Sequence, residues 1–216
     1  GMCLLMGYAG QISLGHAAFF ALGGYTSAIL TTRFEWPLWA AFLVAMGLTL
    51  LISYLIGIPT LRLRGHYLAM ATLGFGEIAY HFALSNIDLT GGADGLYALP
   101  PLSLFGLDFT EGDGIRYYYF VWVIVGLLVI GAFNIIRSRP GRALMSIHGN
   151  EDAANAMGVN TAAFKLKIFM MSAMLAALAG FLFAHHGKTI NVDSANLMLS
   201  VSFVAWVAVG GMSNIW

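Results

Sequence analysis

Residues 37–58 read PLWAAFLVAMGLTLLISYLIGI, without one charged side chain. A helix of about 20 apolar residues matches the hydrocarbon thickness of a bilayer, and no small soluble core can absorb several such runs. Four more runs are comparable, so the expected spans are Ala17–Thr32, Pro37–Ile58, Tyr67–Leu84, Tyr117–Ile136 and Phe164–His185. A sixth, Asn196–Met212, is expected to be truncated or to run on past Trp216, and residues 2–6 to be the tail of a further helix. Only 9% of residues are charged and the mean hydropathy is +0.80, whereas a soluble domain carries roughly 25% charge. The fold class is therefore an all-α polytopic transmembrane helical bundle with about six spans. A β-barrel is excluded because the runs are continuous, not alternating. The chain is read as a single transmembrane domain over 1–216, cut at both ends, since it starts at Gly1 and stops soon after Gly210-Gly211.

Charge then orients the bundle. Segment 59–66 holds Arg62 and Arg64 and no acid, and segment 137–163 opens with Arg137, Arg139 and Arg142. Lys165 and Lys167 follow just inside the next span. Segment 85–116 instead holds Asp88, Asp94, Asp108, Glu111 and Asp113 against Arg116. Short basic loops stay in the cytoplasm, so 59–66 and 137–163 face inward and 85–116 faces outward. The ten basic and ten acidic residues balance, which gives no footing for a nucleic-acid partner. The single cysteine, Cys3, rules out an internal disulfide and a multi-cysteine metal site.

Two spans carry the same stripe of small residues: Ala17, Ala21, Gly24 and Ala28 in one, Ala173, Ala177, Gly180 and Ala184 in the other. Such stripes let helix backbones approach closely in lipid, although alanine-rich filler would look the same.

Polar residues inside apolar sequence are the functional candidates. The stretch GYAGQISLGHAAFF places Gln11, Ser13 and His16 among Gly7, Gly10 and Gly15. Broken backbone at membrane depth is tolerated where it is buried in protein or lines a watery path. These side chains then either clamp a helix joint or face a translocation pathway. Glu77 lies mid-span, with His81 one turn later on the same face. The pair reads as a pathway element or as a structural interhelix hydrogen bond, with the structural reading favoured. Adjacent His185 and His186 point roughly 100° apart on a helix, a poor chelate, and suit anchoring at the membrane interface. Thr90-Gly91-Gly92 and Asp94-Gly95 form a turn-rich outward loop, suited to packing a lid or touching a binding protein. No Walker A, nucleophile elbow or HExxH pattern is present, so no catalytic residue, cofactor or metal is expected and the chain is not read as an enzyme.

The inward segment SRPGRALMSIHGNEDAANAMGVNTAAFKLKIF reads as one or two short helices with Leu144, Ile147, Ala154 and Met157 on one face. Glu151 and Asp152 suit a helix N-terminus, Ala153, Ala154 and Ala156 keep a surface flat, and Gly158 suits a left-handed stop. A cytoplasmic helix with a flat apolar face is made to sit in a protein groove.

Glu151, Ala153, Ala154, Gly158 and Ile168 have the spacing of the EAA loop and so resemble that element of ABC-importer permeases. Asp152 beside the Glu-Ala-Ala core and Met170-Met171 in place of the usual Leu-Pro point to one branch. With GYAGQISLGHAAFF, LRLRGHYLAMATLGFGEI, TGGADGL and VGGMSNIW in order, the chain is similar to the branched-chain amino acid permeases of the LivM type. The resemblance implies that 137–163 is a cytoplasmic coupling loop whose Glu151, Ala153, Ala154 and Gly158 meet an ATPase. It implies as partners ABC ATPase subunits, which hydrolyse the ATP, a second LivH-like permease and a periplasmic or lipid-anchored substrate-binding protein. The setting is membrane lipid, in a bacterial or archaeal cytoplasmic membrane. The implied cargo is a branched-chain amino acid. The alternatives are urea or short amides on the same architecture, or an ion-coupled carrier using Glu77 and His81.

Overall fold

The computed structural model describes residues 1–61, 63, 66–104, 107–108 and 115–211. Arg62 and Arg64 of the basic segment, Glu111 and Asp113 of the acidic one, and Met212–Trp216 of the last matching block lie outside the described residues.

The described chain is almost wholly helical. A π-helical segment, Leu4–Tyr8, precedes α1 (His16–Arg33), α2 (Leu38–Thr60), α3 (His66–Ser85) and the short α4 (Ile87–Thr90). After β1 (Leu96–Tyr97), β2 (Ser103–Leu104) and β3 (Leu107–Asp108) come α5 (Ile115–Arg137), α6 (Arg139–Gly149), α7 (Glu151–Ala156) and α8 (Thr161–Gly187). The strand β4 (Thr189–Ile190), a 3₁₀ turn (Val192–Ala195) and α9 (Leu197–Gly210) complete it. The protein is an all-α, multi-pass membrane bundle.

Among the described residues, α2, α5 and α8 are long and apolar enough to cross a membrane by those criteria alone. Three other expected spans, α1, α3 and α9, fall short of them. The physical reason is clearest for α1, which is rich in small and polar residues because it is surrounded by protein. Ala17, Ala21, Gly24 and Ala28 are all buried, as are Ala173, Ala177, Gly180 and Ala184 of α8. A Cβ at Gly180 would overlap the Phe20 carbonyl oxygen, and one at Gly23 the Ala177 carbonyl oxygen. The two stripes thus face each other and set the closest helix crossing by backbone-to-backbone contact. By contrast α5 is exposed along its apolar stretch and bears its charges, Arg116 and Arg137, at its ends.

The segments around 137–163 and 85–104 adjoin opposite ends of α8. The end of α2 (Gly57, Ile58, Leu61) and the α7–α8 joint (Glu151, Asn160, Ala163) line one cavity of about 530 Å³. At the opposite end β1 pairs antiparallel with β4, Leu96 against Ile190 and Tyr97 against Thr189. The turn-rich loop therefore closes onto the end of α8. Thr90 is buried in it, and its hydroxyl donates to the Ala83 and Asn86 carbonyls.

The expectation that His185 and His186 anchor at the interface is corrected for His185, which is fully buried. Its Nδ1 lies 2.9 Å from the Pro100 carbonyl and its Nε2 3.3 Å from Ser27 Oγ. It ties the loop after β1 to α1, and burial is tolerated because both ring nitrogens are paired. His186 stacks on Tyr117 at 4.2 Å between ring centroids.

Candidate functional site

Two places in the bundle depart from simple helix packing, and one lies beneath the other. The deeper is the break before α1. Gly10 takes a left-handed φ of +64°, a conformation costly for any residue with a Cβ. The chain then runs without helix until His16. Freed backbone N–H groups in a membrane interior must find acceptors. Here other helices supply them. The Leu14 N–H donates to Thr72 Oγ1 of α3 at 3.0 Å, and the Ala17 N–H donates to Ser200 Oγ of α9 at 3.0 Å. His16 shares one hydrogen bond with Ser13 Oγ (3.1 Å, Nδ1) and a second with Ser172 Oγ of α8 (2.7 Å, Nε2). Ser13 and His16 are buried. They form a clamp at the joint.

Gln11 differs from its neighbours. It is 3% exposed, yet neither amide atom of its side chain has a hydrogen-bonding partner among the described residues. Leaving a buried polar group unpaired costs on the order of 1–3 kcal/mol. An amide offers both a donor and an acceptor, so it can meet a carboxylate, an ammonium, a hydroxyl or water.

Glu77 and His81 are not brought to this site. They form an (i, i+4) pair on α3 at 3.9 Å, with side chains 42% and 68% exposed. The preferred interhelix bond is absent among the described residues, because this face of α3 is turned away from α1 and α8. The pairing along the helix stands as the spacing dictated.

The shallower place is the elbow α6–α7 at the basic end. Leu144 and Ile147 of α6 are buried, Leu144 in one cluster with Leu5, Phe19 and Phe169. Asn150 caps α7 by accepting from the Ala153 N–H at 3.0 Å. Gly158, at φ +84°, stops the chain after α7. Glu151 is held by Lys165 of α8, Nζ to Oε2 at 2.6 Å, and accepts from the Thr161 hydroxyl at 3.4 Å. Thr161 also donates to Asn155 Oδ1 at 3.0 Å.

The shared face expected for Leu144, Ile147, Ala154 and Met157 is corrected. Ala154 is 4% exposed and faces inward with the first two, whereas Met157 is 85% exposed. The bend at Asn150 between α6 and α7 changes the helical phase, so one periodicity cannot run through both. Asp152, Ala153, Asn155, Ala156, Met157 and Gly158 form the exposed side. Sequence reasoning missed Thr72, Ser172, Ser200 and Lys165. The available signal was a small hydroxyl residue inside each of three apolar runs and a lysine just inside one of them.

The family model described as branched-chain amino acid transport system, permease component, matches residues 1–216. The high-affinity branched-chain amino acid transport system permease protein LivM of Escherichia coli (strain K12) is 33% identical, over 99% of this chain and 55% of its own length. The probable branched-chain amino acid transport permease protein LivM of Methanocaldococcus jannaschii is 25% identical, over 80% of this chain and 50% of its own. The L-arabinose transport system permease protein AraH of Escherichia coli is 26% identical, over 95% and 60% respectively. The chain thus spans between half and three-fifths of the length of these curated relatives. No solved structure matches it.

Proposed function

The chain belongs to the family of branched-chain amino acid transport system permeases, and on that premise we propose that it forms part of the translocating subunit of an ATP-driven importer. In this reading a binding protein delivers cargo at the acidic end. Separate ATPase subunits grip the exposed side of α7 at the basic end, and a second permease completes the pathway in a cytoplasmic membrane. Glu151 is a positioning group, since Lys165 and Thr161 engage its carboxylate, and Ala154 seats α7 on the bundle. Ala153 and Gly158 are the part of the motif left for a partner. Segment 137–163 is the coupling loop within a single transmembrane domain.

The observation that supports this most is the likeness to LivM permeases along nearly the whole chain, elbow included. The proposed cargo is a branched-chain amino acid. A second cargo class, sugars, has support from the likeness to AraH and to the fructose import permease protein FrcC of Rhizobium meliloti. The unpartnered Gln11 amide suits either.

The test is uptake by the complete transporter in proteoliposomes, with labelled leucine competed by isoleucine, valine, arabinose or urea. Uptake that needs ATP, survives a protonophore and is blocked by isoleucine and valine is the expected result. Blocking by arabinose or urea alone replaces the cargo. Uptake that ignores ATP and collapses with the proton gradient replaces the mechanism, and turns attention to Glu77 and His81.

A further inference from the structure

The elbow and the break before α1 touch each other, and the contact lies at the only left-handed residue of the break. Leu144 of α6 packs in one buried cluster with Leu4 and Leu5 of the π-helical turn and with Ala9 just after it. Four residues further along the same helix, His148 lies against Gly10. A Cβ built on Gly10 would stand 2.7 Å from His148 Nδ1. The ring is therefore seated on the glycine backbone, in the space a side chain would fill.

Beyond Gly10 the attachments change. From Leu14 onward the chain is fastened to α3, α8 and α9 through Thr72, Ser172 and Ser200. Before Gly10 it packs against α6 as well as α8. Gln11 lies between the two sets of fastenings, buried and with its amide unpartnered among the described residues. A π-helical turn is a local underwinding of the helix that is frequent at functional sites. Packed elements with two arrangements turn small shifts into discrete changes.

We propose that Leu144 and His148 of α6 carry the Gly10 joint with them, so that displacement of the α6–α7 elbow re-aims the buried Gln11 amide within the bundle. His148 is a positioning residue here: it acts through Gly10 and touches no cargo. This rests on the reading that the elbow receives the ATPase.

The test uses the complete reconstituted transporter in a Cys3→Ser background. His148 is exposed, so His148→Ala is expected to keep assembly and ATP hydrolysis. The cargo moved per ATP should fall about tenfold, the scale of a residue that carries coupling between sites. A Gly10→Cys, His148→Cys pair, oxidised to a tether, is expected to keep that ratio, because joint and helix travel together. Separately, Gln11→Cys should change its labelling by a small water-soluble thiol reagent when ATP is added, and should cease to do so once His148→Ala is introduced. An unchanged ratio in His148→Ala overturns the proposal. So does a tether that blocks uptake until reduced, or labelling of Gln11→Cys that ignores ATP. If uptake by the unmodified transporter does not need ATP, the functional reading has failed first. If that uptake is normal, any of the three adverse results falls on the His148–Gly10 link alone.

Discussion

Ser172 is a small hydroxyl in the middle of an apolar helix, and its worth lies in a histidine 156 positions away. Ser172→Ala removes the partner of His16 Nε2 and leaves a buried nitrogen unpaired, at a cost of about 1–3 kcal/mol. Thermal unfolding of the purified protein should show a clear drop in midpoint. Thr72→Val, which strips the acceptor from the Leu14 N–H, should act in the same direction, and an unshifted midpoint in both would remove the clamp from the account. Glu77 behaves differently because its pair with His81 is open on the outer face of α3. Glu77→Gln should retain assembly and much of the transport, whereas Glu77→Leu should be harmful only if this face meets protein or water. Normal assembly with abolished transport in Glu77→Gln would instead mark a charge-dependent pathway role. Gln11, Ser13 and His16 were visible in the sequence because polar residues among glycines stand out in an apolar chain. Their partners were not, because each is one Ser or Thr among many and only the fold brings it across.

The helix is the scale at which sequence spoke most clearly. All six expected spans reappear as helices with ends shifted by a few residues, since length and continuous apolarity are local properties. The matched stripes of α1 and α8 were equally readable, but their mutual contact was not, because periodicity names a face without naming its neighbour. Gly180→Ala should prevent that crossing by more than the 1–3 kcal/mol typical of overpacking, as its Cβ would meet backbone. Gly126→Ala on α5, where a Cβ meets nothing within 4 Å, is the control. Detergent-resistant folded yield should separate the two, and equal yields would contradict the packing described. The elbow shows the limit of pattern reading. Ala154→Trp should unseat α7 and lower stability, because that side chain is buried. Ala156→Trp on the exposed side should leave the fold intact and abolish stimulation of ATP hydrolysis by loaded binding protein. Normal stimulation in a stable Ala156→Trp protein would place the ATPase contact elsewhere.

For the whole molecule, the segregation of basic and acidic segments to opposite ends makes topology testable. In a Cys3→Ser background, Ser146→Cys should be shielded from an impermeant thiol reagent in intact cells and Asp94→Cys labelled, both positions being exposed on the protein. The reverse pattern would invert the molecule. Charge alone sets the expected orientation, whereas the closing of the turn-rich loop onto the end of α8 was not legible, since β1 and β4 are too short to leave a periodic signature. The dominance of the α1–α8 crossing also bears on biosynthesis. A ribosome delivers α1 long before α8, so a helix rich in small and polar residues waits in the membrane for its partner. During that interval the clamp around His16 is unmade and the small-residue stripe is bare. The nascent chain is then a substrate for insertases and membrane proteases, and a message broken between α4 and α8 yields a product the cell can recognise as unfinished.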